Sequence, residues 1–252
     1  MKNPLKEKLE NGKSVLGSFL GIYSPPLVEM IGYAGYDFVV IDDEHGAFST
    51  TELEDMIRTA DSVDLVPIVR VSYDQSSVQK ALDRGALGIQ VPMINTKEEA
   101  EEAVEKAKYP PRGRRGAAYS HRAAHYGKEK GKKFLDESDE EILVIPHIET
   151  LEAAENFHEI INVEGIDFPF IGTTDLSVNM GYKEEGPNHL EVRKVVERIY
   201  KEAKERNIKI GTVANDAIGA NNAYDKGASY VGIVAINVIT NALGDVLQST
   251  NK

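Results

Sequence analysis

Eight short apolar segments recur along this chain, and a stretch with helical periodicity follows each of them. The predicted strands cover residues 14–23, 38–41, 66–71, 88–94, 141–148, 168–172, 208–213 and 230–236. The predicted helices cover residues 27–35, 49–62, 74–84, 96–108, 151–161, 189–206, 217–226 and 237–248. Alternating strands and helices favour parallel strands joined by right-handed crossovers, and eight such units favour a closed (β/α)₈ barrel.

An open doubly wound sheet is the alternative fold. It is disfavoured because no predicted strand is followed by a G-x-G-x-x-G turn or a G-x-x-x-x-G-K-[ST] loop. We therefore predict one barrel domain over residues 1–252, a length typical of this fold. Residues 1–13 are expected to form a short helix or a loose lead-in. Residues 109–139 are expected to form a long loop with short helical pieces.

The charge balance narrows the possible partners. The chain has 29 Lys and Arg against 41 Asp and Glu, a net charge of −12, which disfavours nucleic acid and anionic membranes as partners. It contains no cysteine, which excludes disulfides, zinc–thiolate sites and cysteine nucleophiles. Without a signal-peptide pattern or a long apolar run, we expect a cytoplasmic protein that acts on small molecules.

The segment 37–46, Asp-Phe-Val-Val-Ile-Asp-Asp-Glu-His-Gly, joins a buried strand to a cluster of polar groups. Strands buried on both faces are typical of parallel sheets, and barrel enzymes place their chemistry where such strands end. Asp42, Glu44 and His45 are therefore candidates for a base, an acid or a metal ligand. The structural alternative is that Asp43 and Glu44 are solvated and that Asp42 caps the next helix.

Further polar residues lie within, end or follow other predicted strands: Arg70, Gln90, His147, Glu149, Thr173, Thr174 and Asp175. Arg70 is the hardest to explain structurally, because a buried guanidinium needs a partner. Glu149 could instead complement a helix dipole, and Asp175 could be a helix N-cap. The placement of all these groups at one predicted end of the barrel favours a functional site.

Glu149 and Asp175 form a carboxylate pair suited to a hard divalent cation such as Mg²⁺ or Mn²⁺. An imine-forming aldolase would need a lysine whose amine reaches the barrel mouth. Lys209 is the lysine nearest to a predicted strand, and it stands at the strand's start, which is the wrong end. Metal-assisted chemistry is therefore favoured over imine chemistry.

The chain resembles the HpcH/HpaI family of metal-dependent 2-oxo-acid aldolases over roughly residues 14–240. The resemblance rests on GYAGYDFVVIDDEHG (32–46), VPIVRV (66–71), ALDRGALGIQVPMI (81–94), AKYPPRGRRG (107–116), Ile148-Glu149 and IGTTDLS (171–177). It implies that Glu149 and Asp175 hold a divalent metal, Mg²⁺, Mn²⁺ or Co²⁺. It also implies that His45, oriented by Asp42, is the acid/base group and that Arg70 neutralises the enolate oxygen of pyruvate.

The resemblance implies a substrate pocket as well. Gly172 and the backbone amides around Thr173 and Thr174 would receive the pyruvate carboxylate, and Phe19 would lie at the mouth. Two positions depart from the family pattern. His147 stands where the family has a glutamine near the metal and the keto group, and could be a second titratable group or a metal ligand. Thr173 replaces a proline.

The expected reaction is cleavage of a 4-hydroxy-2-oxo acid to pyruvate and an aldehyde. Two alternatives are a lyase acting on a malyl- or citryl-CoA thioester and a non-catalytic barrel of the same family. Members of the family are typically hexamers that exchange the last helix between paired subunits. On that basis we expect a homo-oligomer.

Overall fold

The computed structural model describes residues 2–74 and 76–250. Four residues lie outside these ranges: Met1 of the predicted lead-in, Gln75 of the predicted helix 74–84, and Asn251 and Lys252 of the predicted domain. Eight parallel strands pair in sequence order, and β8 pairs with β1 to close the barrel. The strands are β1 Val15–Leu20, β2 Phe38–Asp42, β3 Val66–Arg70, β4 Gly88–Val91, β5 Leu143–Ile148, β6 Phe170–Ile171, β7 Gly211–Ala214 and β8 Tyr230–Val234. The predicted (β/α)₈ barrel is confirmed.

Helices precede, connect and follow the strands. They are α1 Pro4–Glu10, α2 Pro25–Tyr33, α3 Thr50–Ser62, α4 Ser77–Asp83, α5 Lys97–Ala107, α6 Gly131–Glu141, α7 Leu151–Glu155, α8 Phe157–Ile161, α9 Thr173–Asn179, α10 Leu190–Glu205, α11 Ala217–Lys226 and α12 Ala235–Ser249. Short 3₁₀ segments occur at Arg122–Gly127 and Gly186–Asn188. Ser49 and Thr96 begin α3 and α5 with complete capping boxes, which fixes where these helices start.

Aromatic side chains fill the barrel interior. Phe38 and Tyr230 stack with their ring centroids 4.0 Å apart, and both rings are fully buried. Gly17 must lack a side chain, because a Cβ there would lie 2.2 Å from the Phe38 ring. Leu5 of α1 belongs to the same buried cluster as residues at the strand starts, so α1 covers the amino-terminal end of the barrel. The opposite end remains open for a site.

Three predictions of local structure were wrong. The segment 109–139 is not only loop and short helical pieces: the eleven-residue helix α6 begins within it at Gly131, with only Phe134, Ser138 and Asp139 buried. The predicted helix 151–161 is two helices that meet at Asn156. The predicted helix 27–35 begins two residues earlier, at Pro25, because proline at the first helical positions loses no hydrogen bond.

Because Lys108 is buried, we expect the free energy of unfolding to depend on pH. Its buried amine donates to the carbonyl oxygens of Asp139 and Ile142 at 2.6 and 2.7 Å, where α6 ends. Burial lowers the pKa of Lys108 from 10.5 to about 8. The unfolded chain therefore holds this proton more tightly than the folded protein does. The free energy of unfolding should rise as the pH increases from about 8 toward 10.5, by roughly 3 kcal/mol at most.

Urea unfolding between about pH 7.5 and 10 measures this rise. Lys108→Met should lack it, whereas Lys13→Met, which alters an exposed lysine, should retain it. A free energy of unfolding that changes with pH in the same way in the wild type and in Lys108→Met would contradict the prediction.

Candidate active site

A cavity of about 260 Å³ opens at the carboxyl ends of the strands. Nine of the ten residues that the family resemblance places in the site line it: Phe19, Asp42, Arg70, His147, Glu149, Gly172, Thr173, Thr174 and Asp175. The tenth, His45, lies outside this lining. Parallel strands end at the same edge of a barrel, so residues far apart in sequence meet there.

Asp42 and Arg70 form a two-pronged ion pair at the ends of β2 and β3, where they stand opposite each other in the strand register. Arg70 Nε donates to Asp42 Oδ1 at 2.8 Å, and Arg70 Nη2 donates to Oδ2 at 2.6 Å. Burial raises the pKa of Asp42, but the hydrogen bonds and charge of Arg70 outweigh burial and hold the pKa below its ordinary value. Asp42 is thus a carboxylate that fixes the guanidinium at the cavity wall.

Glu44 places a second carboxylate beside Arg70. Arg70 Nε lies 3.2 Å from Glu44 Oε2, and the Tyr73 hydroxyl donates to Oε1 at 3.1 Å. The Arg70 N–H points at Asp42, so the buried Oε2 accepts no hydrogen bond from any residue that the structure describes. Burial raises the pKa of Glu44, Arg70 only partly opposes this, and the charge of Glu149 adds to the rise. An orphaned buried carboxylate oxygen is an atom that a cation or a water completes.

His45 does not form the expected pair with Asp42 through its ring. Asp42 Oδ1 accepts the backbone N–H of His45 at 3.4 Å, and both Asp42 oxygens are occupied by Arg70. The imidazole is mostly exposed on the rim, with its Nε2 3.9 Å from Glu44 Oε2. The prediction that Asp42 orients the His45 ring is therefore corrected, because the arginine is the stronger partner for the carboxylate.

Glu149 is held at both oxygens although it is only 2% exposed. The backbone N–H of Met93 donates to Oε1 at 2.6 Å, and His147 Nδ1 lies 3.2 Å from Oε2. Burial raises the pKa of Glu149, but His147, Met93 and Arg70 together reverse the effect and lower it. Glu149 therefore remains an anion in spite of its burial.

The β4–α5 turn supplies the donor from Met93. Met93 adopts a left-handed backbone with φ of 55°, which is unfavourable for a side chain of this kind. Asn95 supports the turn, since its side-chain amide donates to the Met93 carbonyl at 2.9 Å, and the Thr150 hydroxyl donates in turn to Asn95. A residue type does not reveal such a conformation, so the sequence did not indicate this contact.

Thr173, Thr174 and Asp175 occupy the first turn of α9, whose N-cap is Gly172. Asp175 is therefore not an N-cap. It is an exposed acid of the first turn, at the cavity. The first backbone N–H groups of a helix have no partner within the helix, so this turn presents donors as well as a carboxylate.

The residues present fit a divalent metal. Glu149 and Asp175 offer carboxylate oxygens at the cavity. Glu44 Oε2, which lies beside Arg70 and accepts no hydrogen bond from the described residues, is a third oxygen close to this site. A Cβ on Gly172 would lie 2.7 Å from Glu149 Oε2, so only glycine leaves room beside that oxygen. Among residues 2–74 and 76–250, no group of three or more His, Cys, Asp or Glu is arranged as a metal site. Two carboxylates completed by waters or substrate suit Mg²⁺ better than a full protein cage.

One wall of the cavity is apolar and was not predicted. It is formed by Gly21, Phe170, Val213, Val234 and Ile236. Such residues carry no chemical signal that separates them from the core. All five lie within predicted strands, which was the only available indication.

The fold and this cavity define the class of the protein: it is a (β/α)₈ barrel enzyme with its polar groups at the carboxyl ends of the strands. A family profile described as HpcH/HpaI aldolase/citrate lyase matches residues 15–237. The chain belongs to this family and is a carbon–carbon lyase.

Individual relatives agree with this assignment. The 2-keto-3-deoxy-L-rhamnonate aldolase of Klebsiella pneumoniae is 32% identical over 235 residues, which cover 92% of this chain and 87% of the relative. A family protein from Burkholderia cenocepacia superposes with a TM-score of 0.92 at 26% identity, covering 98% of both chains. The HpcH/HpaI aldolase of Desulfitobacterium hafniense superposes with a TM-score of 0.88 at 29% identity, covering 98% of this chain and 97% of the other. None of the helices in the described part of the chain has the length and apolar character needed to cross a membrane.

Proposed function

We propose that this enzyme is a metal-dependent aldolase that cleaves a 4-hydroxy-2-oxo acid to pyruvate and an aldehyde. The observation that carries the proposal is the meeting of Arg70, Glu149 and Asp175 in one cavity, with no lysine among the lining residues. Carboxylates suit a hard cation, an arginine suits a developing oxyanion, and imine chemistry lacks its amine. The named relatives that act as aldolases support the same reaction class.

Glu149 and Asp175 would hold the divalent metal, Mg²⁺ or Mn²⁺, with Co²⁺ as a further candidate. A bound divalent metal supplies Lewis-acid polarisation of the keto group. The chain prepares the site for it by keeping Glu149 ionised, with one donor on each of its oxygens.

Arg70 would stabilise the enolate oxygen of pyruvate as negative charge develops. Asp42 holds the guanidinium in a fixed orientation, so little reorganisation is needed during the reaction. The amides around Thr173 and Thr174 would receive the pyruvate carboxylate, with Gly172 leaving room for its approach. Phe19 and the apolar wall would exclude water from the same cavity.

His45 would act as the acid/base group from the rim of the cavity. Through a water, it would take the proton from the substrate hydroxyl as the C3–C4 bond breaks and the aldehyde leaves, and the enolate carbon would take up a proton from water to give pyruvate; in condensation the proton would return to the new hydroxyl. This role requires access to solvent, which the exposed imidazole has.

The test of this function is pyruvate release from a panel of 4-hydroxy-2-oxo acids after treatment with EDTA and after addition of Mg²⁺, Mn²⁺ or Co²⁺. We expect release from at least one member, lost with EDTA and restored by metal. If no member of the panel gives metal-dependent release, the proposal is wrong. Parallel assays with malyl- and citryl-CoA examine the thioester alternative.

We also propose that α12 packs against another copy of the chain. Its apolar side chains are exposed on one stripe of the helix: Val238, Ile239, Leu243, Val246 and Leu247. Asp245 is the only charged residue of this helix, so it is unfavourable for these apolar side chains to remain in contact with water. Exposed apolar stripes of this kind mark interfaces.

Light scattering after gel filtration should therefore give an oligomer for the wild type. Leu243→Glu should lower the molar mass, whereas Leu190→Glu, an exposed leucine on α10, should not. A wild-type molar mass equal to that of one chain would contradict the proposal.

A further inference from the structure

A line of buried hydrogen-bonding side chains runs through the barrel interior to Glu149. Tyr230 and Gln90 are fully buried, and His147 is 1% exposed. The Gln90 amide lies 3.0 Å from Tyr230 Oη at one end and 3.0 Å from His147 Nε2 at the other. His147 Nδ1 lies 3.2 Å from Glu149 Oε2. Three links thus connect a phenol in the core to a carboxylate at the cavity.

The surroundings of this line are aromatic. The Tyr230 ring stacks on Phe38, and the His147 ring stacks on Phe170 with centroids 4.6 Å apart. Buried polar groups cost free energy unless each one is paired. Stacking fixes the plane of the imidazole, but the hydrogen bonds fix which atoms its two nitrogens face. The line therefore sets the orientation of the ring more tightly than packing would.

Hydrogen-bond accounting identifies the donor at the carboxylate end of the line. The Gln90 amide nitrogen donates to Tyr230 Oη at 3.0 Å, and the amide oxygen faces His147 Nε2 at 3.0 Å. A half-turn of the amide exchanges these two atoms and keeps both distances. In either pattern His147 Nδ1 faces Glu149 Oε2 at 3.2 Å. A carboxylate oxygen only accepts, so the hydrogen of this bond lies on Nδ1 and His147 donates to Glu149.

We propose that Tyr230, Gln90 and His147 are positioning residues: together they direct a donor at Glu149 and hold its carboxylate in the orientation that binds the metal. Met93 holds the other carboxylate oxygen, so Glu149 is restrained at both ends. Both nitrogens of His147 have partners within the protein, so neither is free to bind the metal directly. The inference rests on the metal role proposed for Glu149 and adds the residues that support it.

The test measures the dissociation constant of Mn²⁺ for the full chain without substrate, from the electron paramagnetic resonance signal of the free ion. Tyr230→Phe removes one hydroxyl from the line. Tyr224→Phe is the matched control, because the Tyr224 hydroxyl donates to the Val15 carbonyl at 3.0 Å and Tyr224 is absent from the cavity lining. We expect Tyr230→Phe to weaken Mn²⁺ binding about 3- to 10-fold and Gln90→Leu about 10- to 100-fold, with Tyr224→Phe within about twofold of the wild type.

A second arm separates positioning from general stability. In His147→Asn the side-chain nitrogen takes the place of Nδ1, so it still donates to Glu149 but does not reach Gln90. Mn²⁺ binding should stay within about threefold of the wild type, and adding Gln90→Leu to this variant should change it no further. If Gln90 acts only by stabilising the fold, Gln90→Leu should weaken Mn²⁺ binding in the His147→Asn variant as much as it does in the wild type.

Two results bear differently on the two proposals. If the wild type binds Mn²⁺ and Tyr230→Phe binds it no more weakly than Tyr224→Phe does, the positioning role is wrong and the proposed function stands. If the wild type itself binds no divalent metal, the proposed metal role of Glu149 fails, and the inference fails with it.

Discussion

Arg70→Ala is expected to lower kcat for pyruvate release by about 10²- to 10³-fold, the usual effect of removing a preorganised donor to a developing oxyanion. Among the described residues that line the cavity, Arg70 is the one arginine or lysine. Its guanidinium is already fixed by Asp42, so its full electrostatic effect is available in the transition state. Steady-state kinetics with the best substrate of the panel measures the change.

The same substitution should lower stability, and the two effects must be separated. Without Arg70, the buried carboxylates of Asp42 and Glu44 lose their partner, which should cost roughly 3 kcal/mol of folding free energy. Arg70→Lys keeps the charge but not the two-pronged geometry. It should recover most of the stability and little of the activity. Near-wild-type kcat in a folded Arg70→Ala variant would refute the catalytic role of this residue.

Glu149→Gln is expected to abolish activity and to weaken Mn²⁺ binding by at least about 100-fold, because the charged ligand is replaced by a neutral amide of the same shape. No group of three or more His, Cys, Asp or Glu among the described residues is arranged to hold the metal without it. Isothermal titration with Mn²⁺, together with the release assay, measures both effects.

Glu152→Gln is the control for this substitution, since Glu152 is an exposed acid in the first turn of α7, three residues along the chain. Its Mn²⁺ binding and activity should equal those of the wild type. Unchanged metal binding in Glu149→Gln would mean that the metal lies elsewhere, and the assignment of Glu149 as a ligand would be wrong.

The barrel was predictable because its strands are strong local signals. Runs such as 38–41 and 143–145 are apolar enough to be recognised alone, and strict alternation with helices leaves few topologies. Helix α6 was missed because its sequence is strongly polar and only three of its eleven residues are buried. Local patterns reveal an element only to the extent that the element buries an apolar face.

The candidate site was predictable where its residues carry charge and follow a strand. Arg70 and Glu149 were found in this way, and the structure brings them to one cavity. The partner of Asp42 was not predicted, because the family resemblance implied His45 whereas the strand register places Arg70 opposite it. The donor from Met93 and the apolar wall depend on backbone conformation and strand register, which no single residue type encodes.

Proton exchange of pyruvate in D₂O tests the central claim most directly, because it needs no knowledge of the aldehyde. If this site forms the pyruvate enolate with the help of a metal, the methyl proton signal of pyruvate should decay in the presence of enzyme and Mg²⁺. The decay should stop with EDTA and in Arg70→Ala. A methyl signal that decays no faster than in buffer, with Mg²⁺ bound to the enzyme, would contradict the proposed function.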